Sequence, residues 1–381
     1  METGQGLSLG RHPSKRMQLA GIHGHRKRTT GVKKAVIYLG MLVSLVCCLW
    51  IFRHLDWLAL WKALIQVKPF WLVITLLVFY GGIYARALRW ALLFPPDTPV
   101  ASHRLFKPVM VGYAFNNILP TGRVGEFMRA IYVGKRENTG IPVALGTIVT
   151  ERLFDSLSLI IMFLAAMAFI PPMDPDLTVQ FAGFHIEGKM LSTLIHQVML
   201  GAGLLVIVMG LLMLPSIREG LVRIMGLFPF FKPFQLAMEQ GLEQIMRGFG
   251  VIRNPNRLCG VITYSMLIWG INALAAMTLA WGFKDINMTI MQAMALVVIE
   301  SMAVMIPAAP GYWGLYEAGM IFGFAVLELH PSKETALAYG LVMHLIFFLP
   351  TTLAGLWFAS QASLKPQSYE DMHHREKNMP G

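Results

Sequence analysis

The sequence predicts an all-α polytopic integral membrane protein, with about eight transmembrane helices and two Pro/Gly-broken or re-entrant segments. Three observations carry this prediction. First, 55% of the 381 residues are hydrophobic and only 14% charged, against roughly 25% charged in a soluble domain. A soluble α/β enzyme is thereby excluded. Second, apolar runs recur from Ala35 to Ser360, near the roughly 20-residue length that a bilayer-crossing helix needs. Third, two of these runs are interrupted by Pro and Gly beside ionisable residues, at Pro120–Gly122 and Pro310–Gly311. Hydrocarbon admits a broken backbone only where protein or a water-filled cavity surrounds it.

The net charge of +11 is unevenly distributed. Arg11, Lys15, Arg16, Arg26, Lys27, Arg28, Lys33 and Lys34 crowd the stretch 1–34 against the single acid Glu2. Beside a membrane span, such a block sets topology and meets anionic lipid heads, so no nucleic-acid partner is expected. Ala35–Phe52 reads as an uncleaved anchor. Asp56–Val67, with Trp57 and Trp61, has the pattern of an interfacial helix. Phe70–Phe94 is a second span. Arg86 and Arg89 share a face near its end, which fits either snorkelling to the headgroups or an encounter with an anionic lipid head.

Leu105–Leu119 is too short to cross comfortably, and a helical pattern resumes at Arg123–Val133 after the break. The pair reads as a re-entrant hairpin or as one broken crossing. Val143–Ile170 carries Glu151, Arg152 and Asp155 on one face, where they partly neutralise each other. Pro171–Ser192 is acidic and poor in Lys and Arg, hence external. Thr193–Leu214 spans back. The segment 215–257 holds six basic residues and reads as cytoplasmic and amphipathic. Spans follow at Leu258–Phe283, Ile286–Ile306, Tyr312–Leu329 and Ala336–Ser360. Only a hairpin at 105–133 puts the tail 1–34, the segment 215–257 and the tail 361–381 on one side. The organisation expected is thus a basic cytoplasmic tail, a transmembrane domain over 35–360 and a second cytoplasmic tail. Both termini face inside, and the bacterial cytoplasmic membrane is the expected location.

The polar residues inside this domain need a reason, because ionisable groups at membrane depth are costly. Tyr113–Ala130 gathers Asn116, Asn117, Arg123, Glu126 and Arg129 around Pro120, Gly122 and Gly125. The second break repeats the pattern, with Pro310, Gly311 and Gly314 before Glu317. Each has a Pro, two Gly and then a Glu opening a helix, as an internal pseudo-repeat would. Paired discontinuous helices are the sequence mark of a transporter binding site, and their N-termini suit a phosphate. Arg123, Arg129 and Arg152 would meet such a phosphate. Glu126, Glu151, Asp155 and Glu317 would hold those arginines, meet a cationic headgroup or carry protons. Four acids against three arginines leave room for a zwitterionic head or for proton coupling.

Other chemistry is weakly signalled. There is no P-loop and no H-E-x-x-H pair; His185, His196, His330 and His344 are scattered. The D-x-D of Asp174 and Asp176 falls in the external loop. No cofactor and no metal are expected. Cys47, Cys48 and Cys259 read as core residues, too few for a disulfide framework. Glu300, a lone acid within an apolar run, needs a partner, while His344 reads as a hydrogen-bonded core residue.

NNILPTGRVGEFMRA at 116–130, ERLFD at 151–155 and PGYWGLYEAG at 310–319 together resemble the flippase-like family. This is the transmembrane flippase region of lysylphosphatidylglycerol synthases, here in its stand-alone form without the aminoacyl-transferase domain. The resemblance implies a polytopic helical fold with re-entrant helices and a role in moving or handling lipids. It extends to Asn117, Pro120, Gly122, Arg123, Gly125, Glu126 and Arg129, then Glu151, Arg152 and Asp155, then Pro310, Gly311, Gly314 and Glu317. Tyr312 and Tyr316 stand where the third motif usually has Gly and Arg, which leaves the headgroup open. The expected activity is lipid translocation between leaflets, with membrane lipids and a separate lipid-modifying enzyme as partners. The alternatives are a membrane enzyme or an accessory subunit acting on a lipid or polyisoprenyl phosphate.

Overall fold

The computed structural model describes residues 38–53, 55–119, 124–169, 178–181, 184–187, 254–304 and 309–361, with isolated positions between 193 and 220. The expected tails, most of the segment 215–257, most of the span Thr193–Leu214 and the break at Pro120–Arg123 lie outside the described residues.

Helix α1 (Tyr38–Phe52) leads into α2 (Trp57–Ile65) through a bend of 93°. The Asp56 carboxylate caps α2, accepting from the N–H groups of Leu58 and Ala59 at 2.9 and 3.0 Å. This satisfies two of the donors that a helix start leaves open. Leu60 of α2 is buried, while Trp57, Leu58, Trp61 and Ile65 are exposed. Next come α3 (Pro69–Leu93), α4 (Ser102–Ile118), α5 (Val124–Arg136) and α6 (Ile141–Phe169). A two-stranded antiparallel hairpin, β1 (Thr178–Phe181) with β2 (Phe184–Glu187), lies in the stretch expected to be an acidic loop. The chain continues as α7 (Pro255–Ala280), α8 (Ile290–Ala303), a 3₁₀ turn at Pro310–Tyr312, α9 (Leu315–Val326) and α10 (Lys333–Gln361).

Among the described residues, α3, α7 and α10 are long and apolar enough to cross a membrane, and α1 with α2 makes a fourth if that bent pair is one span. The protein is therefore an integral membrane protein. Two expected spans are shorter than their apolar runs suggest: α8 has 14 residues and α9 has 12, below the roughly 20 of a full crossing. Helix α8 starts only after its Thr289 cap and ends at Ala303, and α9 starts after Gly314 and ends at Val326.

The described helices share two large apolar cores. One joins α1, α2, α7, α8, α9 and α10 around Leu279, Leu296, Met320, Leu337 and Tyr339. The other joins α3, α4, α5 and α6 around Trp90, Leu105, Val109, Ala130 and Ile148. Helices α3 and α7 run along each other and bridge the two. They are tied by a buried Thr75–Thr278 hydroxyl pair at 3.0 Å.

Helices α4 and α5 fold back on each other as a hairpin, so a single straight crossing is excluded. Their contact is made by glycine. A Cβ on Gly125 would run into the carbonyl oxygen of Gly112 and come within 2.7 Å of Asn116 Oδ1. That same Asn116 oxygen accepts the Gly125 N–H at 2.8 Å. The expected backbone break is thus also a point of closest helix approach, which only glycine permits. Gly125→Ala is expected to force α4 and α5 apart and cost at least about 1–3 kcal/mol. Thermal unfolding in detergent tests this, and an unchanged midpoint would refute the packing argument.

Candidate functional site

The interior of α6 places three charged side chains where α3, α5 and α7 meet it. Arg89 of α3 is fully buried. Its Nη1 donates to Asp155 Oδ1 at 2.6 Å and to Ser265 Oγ of α7 at 3.0 Å, and its Nη2 lies 3.3 Å from Glu151 Oε1. Glu151 also meets Arg129 of α5, Nη2 to Oε2 at 3.1 Å, and its own neighbour Arg152 at 2.7 Å. Arg152 reaches Asp155 at 3.1 Å and Glu126 at 3.7 Å, and Arg86 lies 3.9 Å from Asp155.

Among the described residues, four guanidinium groups therefore face three carboxylates. The sequence alone suggested the opposite balance, because it counted Glu317 in and left Arg86 and Arg89 at the helix end. Snorkelling is ruled out for Arg89, whose side chain is 0% exposed. Exposure rises from Arg89 and Glu151 at the base to Glu126 at 19% and Arg152 at 39%. The cluster is a funnel of charge with Arg152 at its mouth.

Aromatic rings hold the arginines in place. Trp90, fully buried, lies under the Arg129 guanidinium at 4.7 Å and fixes its own Nε1–H on Thr147 Oγ1 at 2.9 Å. Trp269 lies 5.8 Å from the Arg86 guanidinium. A cation over an indole face gains about 0.5–2 kcal/mol. Nε of Arg89, Arg129 and Arg152 is buried without a hydrogen-bond partner among the described residues. Such an array can take further oxygens, since buried guanidinium donors are seldom left unused.

The second motif builds a separate centre. Gly311 and Gly314 have φ of 73° and 82°, and Tyr312, in the place where Gly was expected, still has the left-handed φ of 60°. Gly314 faces α1 so closely that a Cβ would lie 2.6 Å from Cys48 Sγ. Glu317 turns back to accept the Gly314 N–H at 2.8 Å, and its other oxygen lies 2.6 Å from His344 Nδ1 on α10. Its described partners are thus a helix start and an imidazole, with no guanidinium among them. Asn117 is likewise a tie between helices, donating to Thr351 and Thr352 of α10 at 3.2 and 2.9 Å. The turn Pro310–Tyr312 packs on α4, so α4 and α10 connect the two motifs.

Glu126, Arg129, Glu151, Arg152 and Asp155 are thus brought together, and Gly125 stands at the foot of the same hairpin. Asn117 and Glu317 stand outside that cluster. Pro120, Gly122 and Arg123 lie outside the described residues. Pro310, Gly311 and Gly314 shape the second centre. Glu300 on α8 is half-buried, with Ser301 Oγ donating to it at 3.4 Å. Sequence reasoning left Arg89 between snorkelling and a lipid head, and missed its buried pairing, Ser265, Trp90 and the partnership of His344. The one legible hint was two arginines a turn apart in an otherwise apolar span.

Removing Arg89 leaves two carboxylates at the buried base short of their counter-charge. Arg89→Ala is expected to destabilise the fold by about 3–5 kcal/mol. Arg152→Ala, at the more exposed end, is expected to cost less, because Arg89 and Arg129 still face Glu151 and Asp155. Thermal unfolding of both variants in detergent checks the contrast, and equal losses would contradict the division into base and mouth.

Comparison with known proteins agrees with this architecture. The family model for the lysylphosphatidylglycerol synthase TM region matches residues 37–355. A UPF0104 membrane protein of Methanothermobacter thermautotrophicus is 24% identical over 321 residues, which cover 80% of this chain and 90% of that protein. No solved structure matches the chain. With the match running from α1 into α10, the chain belongs to the family of the lysylphosphatidylglycerol synthase TM region.

Proposed function

We propose that this protein moves a phosphate-bearing membrane lipid between leaflets, and that its headgroup enters the charged funnel at Arg152. The observation that carries this reading is the excess of guanidinium over carboxylate in a cluster buried among α3, α5, α6 and α7. One phosphate would neutralise the surplus. Arg152 and Arg86 sit where it would arrive, and Arg129 lies deeper. Guanidinium groups suit this, because their planar donors match phosphate oxygens in pairs. A zwitterionic headgroup would set its amine against Glu126, the most exposed acid of the cluster. Arg89, Glu151 and Asp155 would form the fixed floor of the site, and Arg123 is proposed as a further cation for the headgroup. Family membership supports a membrane lipid as the guest.

In the topology that goes with this reading, about eight spans cross the bacterial inner membrane. The tail 1–34, the segment 215–257 and the tail 361–381 face the cytoplasm. The α4–α5 hairpin is re-entrant and brings the site within reach of one leaflet. A separate lipid-modifying enzyme would supply or consume the lipid.

The test is leaflet distribution of labelled phospholipids in liposomes holding the purified protein. Wild type is expected to move lipid unchanged in chemistry. Arg152→Ala should move it at least about tenfold more slowly, since a hydrogen bond to a charged group contributes roughly 1.5–3 kcal/mol. Arg152→Lys, which keeps the charge but not the paired donors, should fall between. Movement by Arg152→Ala at the wild-type rate would refute the site. No movement by wild type, or lipid returned chemically altered, would refute translocation.

A further inference from the structure

The Glu317–His344 pair has a geometry that packing alone does not require. Both side chains are almost wholly buried, at 2% and 0% exposure, and Oε1 and Nδ1 lie 2.6 Å apart, within hydrogen-bond distance. The imidazole is held between two rings, Trp313 with its centroid at 4.4 Å and Tyr316 stacked at 4.4 Å. The edge of Phe348 closes a third side. The remaining nitrogen, Nε2, is buried with no hydrogen-bond partner among the described residues. His344 stands well inside the apolar helix α10, far from either end.

We propose that Glu317 and His344 form a proton-binding centre that couples lipid movement to a transmembrane proton gradient, an inference that rests on the translocation reading above. With Glu317 ionised and His344 neutral, the pair carries one negative charge in an apolar box. Uptake of one proton at Nε2 makes it neutral overall, and release restores the charge. No bond other than that to the proton is made or broken. Cys48 from α1 and Tyr316 from α9 lie within electrostatic reach of Glu317, and Glu300 from α8 and Tyr339 from α10 lie within reach of Tyr316 in turn. Among the described residues no Lys or Arg is paired with Glu317, so the mobile proton takes the part of counter-charge.

A physical link to the lipid site is present. Glu317 holds the start of α9 by its bond to Gly314. Two turns beyond His344, Thr351 and Thr352 hold Asn117, just before the first break. A change of charge at the pair therefore acts on both Pro/Gly breaks through α10.

The test uses the full chain in two forms. In liposomes under a pH gradient of about one unit, wild type is expected to accumulate labelled phospholipid in one leaflet. The limit is roughly tenfold for one proton per lipid. His344→Gln, which leaves the Glu317 cap intact, should still equilibrate lipid but ignore the gradient. Wild-type movement that ignores the gradient would overturn the proposal while leaving translocation standing. In nanodiscs, nitrogen-labelled histidine spectra of wild type less His344→Gln isolate the His344 signal without reference to transport. That signal is expected to change as the pH is lowered, when Nε2 takes up its proton. A signal unchanged at every pH at which the protein stays folded would overturn the proton site, whatever lipid does.

Discussion

The structure depends on the pairing of Arg89 with Asp155 and Glu151 inside the helical bundle. A carboxylate or guanidinium taken out of water loses several kcal/mol of solvation. Nothing in hydrocarbon restores it, so each charge must face another. Arg89 answers two carboxylates and a serine at once. By doing so it fixes the approach of α3, α6 and α7 to within hydrogen-bond reach. Arg129 then completes Glu151 from α5, and Trp90 completes Arg129. Once this floor is satisfied, the more exposed groups carry less of the fold. On the proposed reading, Arg152 would serve a guest because the carboxylates beside it are already shared with fixed arginines.

The two Pro/Gly breaks do different work. At the first, glycine lets α5 fold against α4, and Asn116 ties its opening turn. At the second, left-handed backbone at Gly311, Tyr312 and Gly314 turns the chain under α1, and Glu317 caps the helix that follows. Similar sequence thus yields one hairpin beside a charge cluster and one cap beside a histidine. Helices α4 and α10 join them, so the shared element is the pair of helices between the motifs.

Much of this was legible in the chain. Glu126, Arg129, Glu151, Arg152 and Asp155 stood out because each is improbable in hydrocarbon, and their helical spacing put them on common faces. What could not be read was partnership across helices. Arg89 looked like a residue near a helix end, where snorkelling is cheap, and only the packing of α6 and α7 against it shows otherwise. Glu317 was grouped with the arginines because sequence carries no distance, yet its nearest partner is a histidine 27 positions on. Hydropathy also overstated α8 and α9. An apolar run continues through a break that shortens the helix, since hydropathy does not register where backbone hydrogen bonds stop. The β hairpin escaped because four-residue strands in a polar loop have no periodicity long enough to detect.

The central claim is that a lipid headgroup enters the funnel at Arg152, between α5 and α6. The most direct measurement is photocrosslinking of the protein in liposomes with a phospholipid that carries its reactive group on the headgroup. Peptides are then mapped by mass spectrometry. The account predicts labelling within 124–136 and 141–169, diminished when unlabelled phospholipid competes. Labelling confined to outward-facing residues such as Trp57 and Trp61 of α2, with none inside the bundle, would contradict it.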